Sequence, residues 1–190
     1  AGSCACIVSG AWLLWQVARS AGVHPDVRAA LFPLLILSAL AMAHVWGGPE
    51  PDFTLPRNIA VPLMALSQRL GRPPIVMHAT LVLNNWRRLD PDRPLALDNV
   101  DTQFTFTGSF DEKWFYLATL GVELAGAPAI VALVDAVTAS QHGDDTALTD
   151  HLIALDAGIR QMTIALMRMT DRCDPHVFYH RIRPYLAGWP

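Results

Sequence analysis

Apolar residues recur along this chain at helical spacing, in blocks broken by glycine and proline, and the rhythm predicts seven or so helices. Residues 10–20 and 26–46 read as two helices separated by Gly22 and Pro25, and Gly47-Gly48-Pro49 stops the second. Residues 49–56 form a proline-bounded loop. Asn58 to Leu70 follows as a helix. Pro62 lies near its first turn, where proline is tolerated, and Gly71 stops it. Pro73-Pro74 opens a further helix over about 75–88, and residues 89–99 make a loop. Gln103 to Thr107 alternates polar with aromatic and predicts a short extended piece. Ser109 or Asp111 caps a long helix to about Ser140, bent at Pro128. After a turn at residues 141–145, Asp144 or Asp145 caps another long helix to about Arg172. Asp174-Pro175 opens a short last helix that fades near Gly188.

Composition sharpens this picture. Of 190 residues, 52% are hydrophobic and 16% charged, which suits a buried core and not a disordered chain. Alternating β-branched runs are scarce while Ala and Leu dominate, so the expected fold class is all-α. The length fits one domain or two small helical layers. A net charge of −3 argues against general nucleic-acid binding, which needs a basic face. Cys4, Cys6 and Cys173 are too few for a disulfide framework and read as reduced thiols. Leu31 to Trp46 is sixteen residues without a formal charge, short of the roughly 20 that span a bilayer. The first residues lack the basic start expected of a secretory signal, so none is expected. The expectation is a soluble cytoplasmic protein without a membrane partner.

Several side chains are candidates for chemistry. Phe115, Thr119 and Val122 share one helix face, apolar but for one hydroxyl. That face suits a pocket for a flat apolar ligand, and equally an ordinary core stripe. Glu123, next in sequence, must be paired or lie at an exposed edge. His78 sits on an apolar helix as a hydrogen-bonded core residue or a ligand. His176 and His180 are four apart, a spacing compatible with a metal but flanked by Arg181 and Arg183. Arg183 follows Phe178 and Tyr179. It fits either the grip of a carboxylate beside an apolar body, as in an amino-acid substrate, or a surface ion pair. Spacing reveals no Ser-His-Asp set, phosphate loop, zinc motif or paired acid–base carboxylates.

Four ordered blocks carry a family resemblance. They are ALAMAHVWG (39–47), LPRNIAVPLMALSQRLGRPPIVMHATLVLNNW (55–86), FTFTGSFDEKWFYLATLGVELAGAPAI (104–130) and DPHVFYHRIRPYLAGW (174–189). Over about residues 27–190 the chain resembles the N-terminal and middle part of the indoleamine 2,3-dioxygenases, as a bacterial-type member; residues 1–26 match weakly. The resemblance implies a small N-terminal helical domain over residues 1–72. Residues 73–190 would be the first part of a larger helical domain that binds haem b.

By position, the resemblance implies substrate contacts at Phe115, Tyr116, Thr119, Phe178 and Arg183, with Arg183 on the substrate carboxylate. It also implies contacts at His78, where many members carry tyrosine, at Leu81, where some carry cysteine, and at Val82. Cofactor contacts would fall on Val122, Leu166 and Met169. Phe178 and Arg183, five apart, would stand about 140° apart on an ideal helix and flank the pocket. The implied activity is O2-dependent cleavage of the indole C2–C3 bond of L-tryptophan, or a related indoleamine, to N-formylkynurenine. The family's proximal haem histidine lies beyond the GW segment, and none of the seven histidines here aligns with it. The expectation is therefore a portion of a longer protein, inactive without its C-terminal half. Two alternatives stand: a related haem enzyme that rearranges a tryptophan-derived indole, and a haem-free indole-binding or scaffold protein on this fold.

Overall fold

The computed structural model describes residues 25–190, with side chains from Ala30 onward. The expected helix over residues 10–20 and the Cys4/Cys6 pair lie outside the described residues. The fold is all-α, with one short two-stranded ribbon. Helix α1 spans Pro25–Trp46 and α2 spans Arg57–Leu70. A single π-helical turn, Ala79–Leu83, leads to β1 (Trp86–Arg88), which pairs antiparallel with β2 (Val100–Thr102) in the register Trp86↔Thr102. The long α3 (Phe110–His142) and α4 (Asp145–Met167) form a hairpin. A 3₁₀ turn, Arg168–Asp171, leads to a terminal segment, which holds Pro175–Val177, the π turn Phe178–Ile182 and the 3₁₀ turn Arg183–Leu186.

Local chemistry fixes the helix ends. The Ser109 hydroxyl accepts the Glu112 N–H at 3.1 Å and starts α3. Gly143, at φ 69°, ends it in a left-handed cap that a Cβ would strain. Asp144 then caps α4 by accepting the Ala147 N–H at 2.9 Å. These boundaries agree with the sequence expectation to within a few residues.

The expected helix over 75–88 is not formed. Its apolar run is buried on all sides (Thr80 to Leu83), so periodicity could not reveal its conformation. Asn84 and Asn85 then take backbone partners of their own. Asn84 donates to the Ala79 carbonyl at 2.6 Å, and Asn85 donates to the Phe104 carbonyl at 2.8 Å while accepting the Phe104 N–H. Trp86 is thereby released into a strand. The extended piece expected at 103–107 lies one step earlier, at Val100–Thr102, because Asn85 captures the N–H groups of Gln103 and Phe104. The last helix is fragmentary, with only three α-helical residues before its turns widen and then tighten.

Helix α1 faces two cores. Leu34, Ala41 and Met42 pack with Leu63 of α2. Leu35, one residue along, joins Leu81, Val82, Leu83, Val100, Tyr116, Leu117 and Leu120. A third cluster gathers Trp114, Ala118 and Cys173 under Met169 and Phe178. Burial, with Asp111 and Asp174 nearby, pushes the Cys173 thiol above its ordinary value, which keeps it protonated and unreactive.

Small residues close the α3–α4 hairpin. A Cβ on Gly158 would lie 2.6 Å from the Ala129 Cβ, so the helices touch there backbone to backbone. By length and composition α3 could cross a membrane, and 44% of its apolar stretch is buried inside the structure. The outer hairpin face is apolar and exposed at Val131, Val134, Val137, Ile153, Ile159 and Leu166.

Candidate functional site

Helical spacing puts Phe115, Thr119 and Val122 within about 60° of one another around α3. All three are half-buried, whereas their neighbours Trp114, Tyr116, Leu117, Ala118 and Leu120 are buried. The stripe is thus the open part of a helix packed on both flanks. Its hydroxyl is committed, since Thr119 Oγ1 donates to the Phe115 carbonyl at 2.7 Å.

The terminal segment brings an aromatic wall to this stripe. The Phe178 ring lies 4.5 Å from the Phe115 ring, tilted by 37°. Asp174 positions it: its carboxylate accepts the N–H groups of His176 and Val177, and its own N–H donates to Asp111 at 2.8 Å. Met169 packs into the same cluster. Leu166, in contrast, points outward and is 54% exposed.

Tyr116 does not join the open stripe. It is 2% exposed, and its hydroxyl donates to Glu112 Oε1 at 2.9 Å. Burial, and next the Glu112 carboxylate, push the phenol well above its usual range, so it stays a neutral donor. Glu112 is the functional-looking residue that site-directed sequence reading missed. Fully buried, it also accepts the N–H groups of Phe106 and Thr107 and the Thr107 hydroxyl. Its signal was the S-x-x-E spacing from Ser109.

Leu81 and Val82 reach the buried side of α3, in the core of Tyr116 and Leu120. His78, just before their π turn, makes a 2.8 Å hydrogen bond from Nε2 to Glu123 Oε1. Of the two readings of Glu123, the paired one holds; the residue is 4% exposed. Its partner lies 45 positions away, beyond the reach of helix periodicity.

Arg183 is exposed, with its guanidinium carbon 5.1 Å above the Tyr179 ring centre. The 140° separation from Phe178 assumed an α-helix. Instead the turn is π, and the Arg183 N–H closes on the Phe178 carbonyl five residues back. Arg183 therefore stands one turn above Phe178. The π turn Phe178–Ile182 borders the stripe and the π turn Ala79–Leu83 follows His78, and such turns frequently mark functional sites.

The His176 and His180 rings are 4.4 Å apart, yet among the described residues no group of three or more metal-binding side chains forms. Cavities of about 350 Å³ beside Leu63 and Trp189 and about 630 Å³ beside Trp46 and Arg181 are lined by none of the stripe residues.

The profile of the family described as indoleamine 2,3-dioxygenase matches residues 24–190. This chain belongs to the indoleamine 2,3-dioxygenase family. It is 41% identical over 157 residues to indoleamine 2,3-dioxygenase 1 of Rattus norvegicus, a match covering 82% of this chain and 39% of that protein. The Homo sapiens indoleamine 2,3-dioxygenase 2 gives the same identity and coverage. The Saccharomyces cerevisiae indoleamine 2,3-dioxygenase is 38% identical over 171 residues, 86% of this chain and 38% of its own. The chain thus spans about two fifths of the length of these curated relatives.

Proposed function

We propose that this chain forms the substrate-side wall of a haem-dependent dioxygenase that cleaves the indole C2–C3 bond of L-tryptophan or a related indoleamine. The observation that carries the reading is the Phe115–Phe178 ring pair, 4.5 Å apart and half-buried beside the open stripe, in a chain of this family. A flat apolar wall with a single hydroxyl suits an indole, and an arginine one turn above Phe178 suits the carboxylate of an amino acid. The reaction inserts both atoms of O2: the C2–C3 bond breaks and two carbonyl oxygens form, giving N-formylkynurenine.

Two of the three expected cofactor residues suit one face of a planar macrocycle, and Leu166 lies exposed outside the cluster that holds Met169. Val122 on the stripe and Met169 in its adjoining cluster are half-buried and apolar, and Leu166 is exposed and apolar. Val122 and Met169 would contact haem b, which would supply the iron chemistry for the reaction of O2 with the indole. The chain's own residues then bind and exclude water. Phe115 and Phe178 hold the ring, Thr119 and Val122 close its far edge, and Arg183 holds the carboxylate with paired N–H donors.

We infer that the residue that would hold the haem iron belongs to a C-terminal portion such as these longer relatives have. The exposed apolar face of the α3–α4 hairpin supports further helices packing there. In this reading α3 is a core helix, the protein is cytoplasmic, and neither membrane nor nucleic acid is a partner.

The test uses the full-length polypeptide expressed with haem supplied. The expected result is a Soret band and N-formylkynurenine formed from L-tryptophan and O2. A different indole product would favour the rearranging enzyme, and no haem uptake would favour the scaffold.

A further inference from the structure

We propose that His78 and Glu123 form a recognition dyad for a hydrogen-bond donor on the ring of the bound indole, with Glu123 as the positioning residue. The proposal rests on the indole-binding reading above. It goes further by selecting ring-hydroxylated indole amino acids over unsubstituted ones.

Glu123 is 4% exposed in an apolar stretch of α3, where an unpaired carboxylate would be costly. Its partner is the imidazole of His78, whose side chain is 29% exposed. Around the helix, Glu123 lies about 40° beyond Thr119, on the flank it shares with Tyr116. The dyad therefore edges the open stripe, and the imidazole is the part of it that reaches the surface.

The polarity of the dyad follows from its donors. A carboxylate only accepts, so the His78 nitrogen facing it, Nε2, carries the hydrogen. In the neutral ring Nδ1 is then a bare acceptor. Among the described residues Nδ1 has no hydrogen-bond partner. Thr119 has the same character, because its hydrogen is spent on the Phe115 carbonyl and its oxygen can only accept. Among the described residues, Thr119 and His78 thus offer the ring of the ligand two acceptors, while the donors of Arg183 are taken by its carboxylate. An indole brings one donor, its ring N–H. A ring hydroxyl supplies the second, and a methyl group of similar size does not.

The experiment compares binding of 5- and 6-hydroxy-L-tryptophan with 5- and 6-methyl-L-tryptophan by calorimetry, on the full-length haem-loaded protein. The expected result is a preference of about ten-fold for hydroxyl over methyl at one of the two positions. His78→Phe should bring that ratio to about one. Glu123→Gln, whose amide oxygen can still accept from Nε2, should retain most of the preference. Glu123→Leu should lose it without lowering turnover of L-tryptophan in proportion. The His78→Phe/Glu123→Leu double variant leaves no buried charge without a partner, and covers the case in which a single variant fails to fold. A hydroxyl-to-methyl ratio near one in the native protein, or one unmoved by the double variant, overturns the dyad. Failure of every indole to bind would instead overturn the underlying function.

Discussion

The indole nitrogen of Trp46 donates to the Gly188 carbonyl at 2.8 Å and joins the end of α1 to the last residues of the chain. The two lie 142 positions apart, so this bond helps hold the terminal segment, with Phe178 and Arg183, against the rest of the fold. Trp46→Phe keeps most of the apolar contact and removes the donor. We expect a loss of about 1 kcal/mol in chemical denaturation, with the largest increase in amide exchange within residues 175–188. An even rise in exchange across the chain would contradict this linkage.

Glu112 holds the chain entering α3 through two backbone N–H groups and two hydroxyls. Glu112→Ala orphans the buried Tyr116 hydroxyl and three part-buried donors, and should destabilise by about 3 kcal/mol. Tyr116→Phe removes one of those donors and should cost about 1 kcal/mol. Thermal melts of the two variants give the ranking, and equal losses would refute it.

The hairpin tests close packing. Gly158→Ala sets its methyl against the Ala129 backbone, and should destabilise by about 1–3 kcal/mol. Gly126→Ala meets the flexible Met162 side chain first, at 2.9 Å from its sulfur, and should be milder. Denaturation midpoints decide, and the reverse order would rule out the backbone contact.

Arg183 carries the prediction for substrate. In the full-length haem-loaded protein, Arg183→Ala should weaken L-tryptophan binding by roughly ten- to hundred-fold, through loss of a charge-assisted pair. Arg183→Lys should recover little, because a lysine cannot make the bidentate fork. Unchanged turnover at low tryptophan removes the assignment.

Asp101 gives a pH dependence. Burial pushes its carboxyl up, but Lys113 at 2.5 Å, the Thr102 N–H and Arg87 outweigh this and hold it below its ordinary 3.8. Below that value the unfolded chain binds more protons than the folded one, so the contribution is present above 3.8 and is lost as pH falls through the folded value. Asp101→Asn should therefore cost up to about 1 kcal/mol near neutral pH, and the gap from wild type should shrink in acid. A gap constant with pH would count against the ion pairs.

The sequence makes the four long helices legible because their ends carry explicit chemistry: Ser109, Gly143 and Asp144 are a cap, a stop and a cap. It fails over residues 75–88, where the decisive interactions are side chain to backbone, from Asn85 to Phe104 nineteen positions on. The site divides in the same way. Phe115, Thr119 and Val122 are legible because one helix carries them. The partners that give them meaning, Phe178 against Phe115 and His78 against Glu123, come from other elements, and spacing along one helix says nothing about them.

The wide turn at Phe178–Ile182 makes the register of the terminal segment a property of chain length as well as composition. Straightening this turn to ordinary α geometry at unchanged length would swing every later side chain by roughly 100° about the axis. The cation at Arg183 would then leave its place above Phe178 although no residue had changed. A homologue shorter by one residue here and α-helical through the turn would keep the arginine in place, because its N–H would meet the same carbonyl four residues back.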